Sequence, residues 1–322
     1  HPMDLRQSRF GDHSPSPPAT GLRAVTWLAP GIPLEFFEIL CSWLSRELAV
    51  PIRLDSRSRS SGPMHGDSDP FAEGEADLGF LCSPSYLYLA SKSRPSVALV
   101  PAGFAFRTSG VRPRPIYYSE VIVRTGHRAS RFEDLAGGVW GFNDECSLSG
   151  YFSALQQLED SGSDESFFGS HVRTGSHFAS IHAVLNGTID AAAIDSTVLS
   201  LYLRDHPESM SELRTLASWG PFPIQPIVLR SSLETALSDR IGQALLRLHH
   251  DSATSKDLAR FHLLRCVPIS EQDYAQERRA LCSLSPRVLP VPLPKAPWPN
   301  SPSRLPTSHD CSMTSAVSAR RP

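Results

Sequence analysis

Lysine is nearly missing from this chain: Lys92, Lys256 and Lys295 are the only three among 322 residues. Arginine supplies almost all the remaining positive charge, and 31 basic groups against 33 acidic ones give a formal net charge of −2. No strong field of one sign exists to gather nucleic acid, so that class of partner is excluded. Paired cysteines are also lacking. The six occur singly, without a C-x-x-C pair or a histidine at zinc-ligand spacing. That pattern excludes a dense disulfide scaffold and gives no sign of a metal site. Cys41, on an apolar helix face, and Cys82, after a strand, read as small core residues.

Long apolar runs are absent as well. No window of about 18 apolar residues occurs, so no membrane-spanning helix is expected. The first ten residues, H-P-M-D-L-R-Q-S-R-F, lack the apolar core of a signal peptide. Catalytic signatures are equally scarce: there is no G-x-S-x-G, H-E-x-x-H or G-x-x-x-x-G-K. G-G-V-W-G at 137–141 lacks the spacing of a dinucleotide-binding turn. No catalytic residue, metal or cofactor is therefore expected.

Proline gathers at two ends. Residues 1–20 contain S-P-S-P-P, and 286–322 contain V-L-P-V-P-L-P-K-A-P-W-P followed by a Ser/Arg tail. Proline removes backbone donors and blocks helix interiors and central strands, so both ends are expected to be disordered. Between them, short apolar strands alternate with helical periodicity. Strands are expected at 22–28, 52–54, 76–81, 97–101, 116–124, 139–142, 188–194 and 222–229, and near His171. Helices are expected at 33–48, from 69, and at 149–160, 177–186, 233–249 and 255–261. Strands separated by helices of this length argue for an α/β fold with mostly parallel sheets.

The most informative segment is N-D-E-C-S-L-S-G-Y-F-S-A-L, residues 143–155. Ser147 and Ser149 stand directly ahead of an apolar-periodic stretch, as capping hydroxyls at a helix start do. A helix start carries unpaired N–H groups and partial positive charge, which suits an oxyanion. Thr174-Gly175-Ser176-His177 opens a second helix of the same kind. Asp195 follows a strand at its carboxyl end, where it either meets a ligand or caps the next helix. A hydrolytic triad of Ser147, His177 and Asp195 is the catalytic alternative, of esterase or phosphoryl-transfer type.

These pieces, in order, resemble the substrate-binding proteins of phosphonate, phosphite and phosphate ABC importers, which have the two-lobed type II periplasmic-binding fold. The resemblance runs over about 22–278 through A-D-L-G-F-L-C-S-P-S-Y-L (76–87), F-E-D-L-A-G-G-V-W-G-F-N-D-E-C-S-L-S-G-Y (132–151) and G-S-H-F-A-S-I-H-A-V-L-N-G-T-I-D-A-A-A-I-D-S (175–196). It implies that Tyr117, Ser147, Ser149 and His177, with the amides around Leu148 and Gly150, hold a small oxyanion. Asp195 and Gln225 complete the expected set. Leu148 replaces a threonine common in the family, and Thr197 and Gln225 stand where the aminoalkylphosphonate binder has carboxylates.

One lobe is expected to comprise 22–112 with 222–280 and the other 116–218, hinged near 113–116 and 219–222. The resemblance implies capture by hinge closure and delivery to an ABC importer's membrane subunits outside the cytoplasm. A chain complete as it stands would instead suit a cytoplasmic ligand sensor or a repurposed binding scaffold.

Overall fold

The computed structural model describes residues 21–283 apart from Glu165 and Glu234. Both proline-rich ends expected to be disordered lie outside those residues. The first strands are β1 (Leu22–Thr26), β2 (Ile52–Ser56), β3 (Leu78–Phe80), β4 (Val97–Leu99) and β5 (Ala102–Phe106). The next are β6 (Ile116–Arg124), β7 (Val139–Phe142), β8 (Ser170–Arg173) and β9 (Ala191–Asp195). The last are β10 (Leu213–Pro223), β11 (Ile227–Arg230) and β12 (Leu263–Pro268). The helices are α1 (Leu34–Leu48), α2 (Ser83–Ala90), α3 (Ser153–Asp160), α4 (His177–Leu185) and α5 (Ser196–Asp205). They continue with α6 (Ser209–Glu212), α7 (Thr235–Arg247), α8 (Ser252–Ala259) and α9 (Ala275–Ser283). A π-helical turn, Leu148–Phe152, leads into α3.

Two five-stranded sheets form the lobes, in the orders β2-β1-β3-β11-β4 and β10-β6-β9-β7-β8. Their pairing is mixed rather than mostly parallel. β1 is parallel to β2 and β3, and β7 to β8 and β9. The strands of the inter-lobe segments return antiparallel: β6 against β9, β10 against β6, and β11 against β3 and β4. The long β10 escapes sequence reading because its apolar residues do not alternate and two register shifts interrupt it. Short α2 escapes for another reason: seven of its eight residues are buried, so no amphipathic stripe marks it. The helix expected from residue 69 is instead a turn, in which Asp69 Oδ1 accepts from the Phe71 and Ala72 amides and Gly74 ends it at φ 72°.

Phe36 sits at the centre of the first lobe. Its ring meets Phe37 at 5.1 Å and Phe104 at 5.2 Å, both edge-on, with Phe106 and Phe261 just beyond. This cluster seats α1 against the β5–β12 ribbon. Asp77 ties three strands of the same lobe at their edge. It accepts from the backbone and guanidinium of Arg23 and from the guanidinium of Arg230.

Burial alone would raise the Asp77 carboxyl, but these hydrogen bonds outweigh it and hold the group below its ordinary 3.8. Its contribution is therefore complete above the unfolded value and lost as pH falls through the lower folded one. Asp77→Asn should cost about 2 kcal/mol at pH 7, less than the ~3–5 kcal/mol of a fully buried pair, because Arg23 reaches water. Urea unfolding at stepped pH should show the gap to wild type constant above pH ~5 and closing below 3.8. A gap unchanged in acid would mean that the ion pair is not its source.

Candidate ligand-binding cleft

The residues that cap four helices meet in one space between the lobes. Cys82 precedes α2, Ser147 the π-turn and α3, Ser176 α4, and Asp195 α5. All four line the same cavity, together with the Leu28–Ile32 turn that leads into α1. The cavity is about 60 Å³ in volume. One water needs roughly 10–15 Å³, so the space fits one small ligand.

The serine loop is fixed from inside. Ser147 Oγ accepts from the Gly150 amide at 3.0 Å, and the Leu148 amide donates to Cys82 Sγ at 3.3 Å across the cleft. Gly150 is needed because a Cβ there would stand 1.7 Å from Asn143 Oδ1. Ser149 Oγ lies 3.3 Å from His177 Nε2, and its carbonyl accepts from Ser119 and Ser153 at 2.7 Å. Burial pushes His177 down to about 4, so the ring is neutral at physiological pH. Its buried Nδ1 has no hydrogen-bond partner.

Two carboxyls also line the cavity. Asp195 Oδ1 accepts from the Thr197 and Val198 amides at 2.7 and 3.2 Å, and Oδ2 accepts from Gln225 Nε2. Burial raises it to about 6 despite these donors. Asp144 faces Ser61 from the opposite lobe, accepting from its amide at 3.1 Å and its hydroxyl at 2.7 Å. Within its own loop it accepts from the Cys146 amide and Asn143 Nδ2. Burial raises its pKa as well, against the pull of these donors. No lysine or arginine lines the space among the described residues. Arg173 closes the rim from outside, paired with Glu145 and donating to the Arg59 carbonyl across the lobes.

Of the residues singled out from sequence, Ser147, Ser149, His177, Asp195 and Gln225 line the cavity. Gly150 stands one layer behind, under Asn143. Leu148 lines a separate groove, together with Trp219 and Phe222. Tyr117 is fully buried beside Phe222 and is not among the lining residues; its hydroxyl has no hydrogen-bond partner. Thr197 is buried, and its hydroxyl meets that of Thr108 at 3.2 Å.

Sequence reading missed Asp144 and Cys82 as cavity residues. The Asx residue two before the Cys146 amide was the available signal for a turn at Asp144. Nothing local marks its partner Ser61. The triad geometry is not assembled: Ser147 Oγ is engaged by Gly150, and His177 pairs with Ser149 while its other nitrogen meets no carboxylate.

Two mixed-sheet lobes closed over a small polar cavity define the class: a two-lobed type II periplasmic-binding-protein fold. Solved structures of that class superpose on most of the chain. One is a binding protein component of an ABC phosphonate transporter from Pseudomonas aeruginosa. It is 14% identical with TM-score 0.69, covering 81% of this chain and 85% of its own. PhnD1 from Prochlorococcus marinus, in complex with methylphosphonate, is 18% identical with TM-score 0.66, covering 81% and 97%. A Xanthomonas citri protein bound to ATP is 15% identical with TM-score 0.60, covering 81% and 96%. The profile of one family, described as ABC transporter, phosphonate, periplasmic substrate-binding protein, matches residues 34–274. The chain belongs to this family of substrate-binding transport proteins.

Proposed function

We propose that this protein captures a small phosphorus oxyanion of the phosphonate class in the inter-lobe cavity and presents it to an ABC importer outside the cytoplasmic membrane. The observation that carries the reading is the meeting of four helix caps on one buried space of about 60 Å³. Helix starts offer N–H groups and partial positive charge, which stabilise an anion without a neighbouring cation. Ser147, Ser149 and a neutral His177 add side-chain donors. A volume of about 60 Å³ suits a small oxyanion better than a nucleotide such as the ATP bound to the Xanthomonas relative.

Hinge closure is the ordinary mechanism of the class. The segments near 113–116 and 219–222 are the hinge in this reading, and β10 has a register shift between Trp219 and Phe222. No helix among the described residues is long and apolar enough to cross a membrane.

Thermal unfolding with methylphosphonate, phosphite, phosphate and sulfate tests this reading. A ligand at a hundred times its Kd adds about 2.7 kcal/mol, a rise of roughly 5–10 °C for a domain of this size. Ser147→Ala combined with His177→Ala should remove that rise, while loss of the Ser147 cap, about 1 kcal/mol, lowers the unliganded melting temperature by only roughly 2–4 °C. No rise with any of these oxyanions would sink the proposal.

A further inference from the structure

A second space, far larger than the inter-lobe cavity, opens where α9 approaches the other lobe. This groove of about 730 Å³ is lined by residues of α3, α9 and the end of β10, with Leu148, Trp219, Phe222 and Leu281 among its apolar surface. Volumes of roughly 300–1,000 Å³ are ordinary for bound ligands.

Two polar groups in the groove lack a donor. Glu277 is 6% exposed; its Oε1 accepts from Ser83, but its buried Oε2 has no hydrogen-bond partner. Gln156 donates to Asp160 at 2.8 Å, and its buried Oε1 has no partner either. A buried acceptor without a donor is costly, so an occupant that completes this groove brings N–H groups as well as apolar surface. Burial also raises the Glu277 carboxyl to about 8, against the Ser83 hydrogen bond. The ionisable groups of the lining are Asp160, Asp273 and Glu277 against Arg114, which favours a cationic occupant.

The chain itself carries a segment with these properties. Helix α9 ends at Ser283, two residues beyond Leu281 in the groove wall. Residues 286–299 then read P-R-V-L-P-V-P-L-P-K-A-P-W-P, with Arg287 and Lys295 and no acidic residue. Prolines at this density favour an extended polyproline helix, which docks on aromatic and apolar grooves with little conformational entropy left to lose. The Lys295 ammonium, the Trp298 indole and the non-proline amides are its donors. The six residues from Ser283 to Leu289 span up to about 20 Å, enough to turn back along the groove. Covalent attachment also gives a short tethered segment a roughly millimolar effective concentration.

We propose that residues 289–299 of this same chain seat in the groove between α3 and α9, with Trp298 on the Trp219–Phe222 surface and donors of the segment on Glu277 and Gln156. Glu277 ties α9 to α2 of the first lobe, whereas Ser153 ties α3 to Ser119 of β6 in the second. The seated segment therefore bridges the two lobes.

Photo-crosslinking and hydrogen exchange on the full chain test the assignment. Trp298→p-benzoylphenylalanine is irradiated in a mixture of light and isotopically heavy chains and digested for mass spectrometry. It should join to peptides covering 148–160, 218–223 or 273–281 of its own chain. Adducts joining light to heavy chains would give the groove to a second copy and overturn the proposal. Adducts only outside those peptides, or none, would overturn it as well.

Lys295→Glu combined with Trp298→Ala removes the charge and the ring without touching a groove wall. In that variant the amides of 152–160 and 218–223 should exchange about tenfold faster, the protection lost when an occupant seated roughly nine-tenths of the time is released. Arg320→Glu, which changes charge beyond the segment, should exchange like wild type. Unchanged exchange in the double variant, or an equal rise in Arg320→Glu, overturns the proposal.

Discussion

Asp144→Ala should weaken methylphosphonate binding by about two orders of magnitude while leaving each lobe folded. Asp144 and Ser61 lie on opposite lobes, joined by two hydrogen bonds of 3.1 and 2.7 Å that separation of the lobes would break. Hydrogen bonds to a charged group contribute about 1.5–3 kcal/mol each. Losing both from the closed state alone removes roughly 3 kcal/mol of the free energy that couples closure to binding, or about 100-fold at 1.4 kcal/mol per tenfold. Alanine also strands the Ser61 and Cys146 amides without their acceptor, which adds to the cost.

Ser61→Ala loses only the side-chain bond and should cost about tenfold. The double variant should be no worse than Asp144→Ala alone, because the two residues act as one contact. Calorimetry measures all three, and small-angle scattering of the unliganded proteins should show Asp144→Ala as the more open molecule. Binding by Asp144→Ala within threefold of wild type would mean that the contact does not hold the cleft shut.

Phe36→Ala should have the largest effect on stability, about 3–5 kcal/mol. The ring is fully buried and touches aromatic neighbours on α1, β5 and the segment before β12. Edge-on aromatic pairs add roughly 0.5–1.5 kcal/mol each beyond area burial, and a cavity ringed by rigid aromatics cannot collapse to fill the gap. At about 2–4 °C per kcal/mol, the melting temperature should drop by roughly 10 °C or more. Urea unfolding gives the free energy directly, and a loss below 1 kcal/mol would show that the cluster does not anchor α1. Because the turn before α1 lines the cavity, ligand-induced stabilisation should shrink in the same variant.

Much of the frame was legible in the chain because its causes are local. Apolar spacing marked α1, α3, α4 and α7, and the central strands β1, β3, β6, β7 and β9 stood out as apolar runs. The serine loop was visible as a helix start for the same reason: Ser147 caps Gly150, only three residues on. Elements without a local signature stayed hidden. Helix α2 is buried on nearly every side, and β5, β10 and β12 belong to segments whose partners lie far along the chain. The mixed direction of the sheets was hidden too, since strand periodicity is the same for parallel and antiparallel neighbours.

The sequence by itself determined the capped helix starts at Ser147 and Ser176, the near-absence of lysine, and which faces must be buried. Those features depend on chemistry within a few residues. Only the tertiary structure decided that four caps point into one space, that Asp144 meets Ser61 83 positions away, and that Leu148 donates to Cys82 across 66. It also set Gln225 against one oxygen of Asp195, 30 positions before it. Such contacts follow from strand order and from how the lobes close, and neither is written in the periodicity of any single segment.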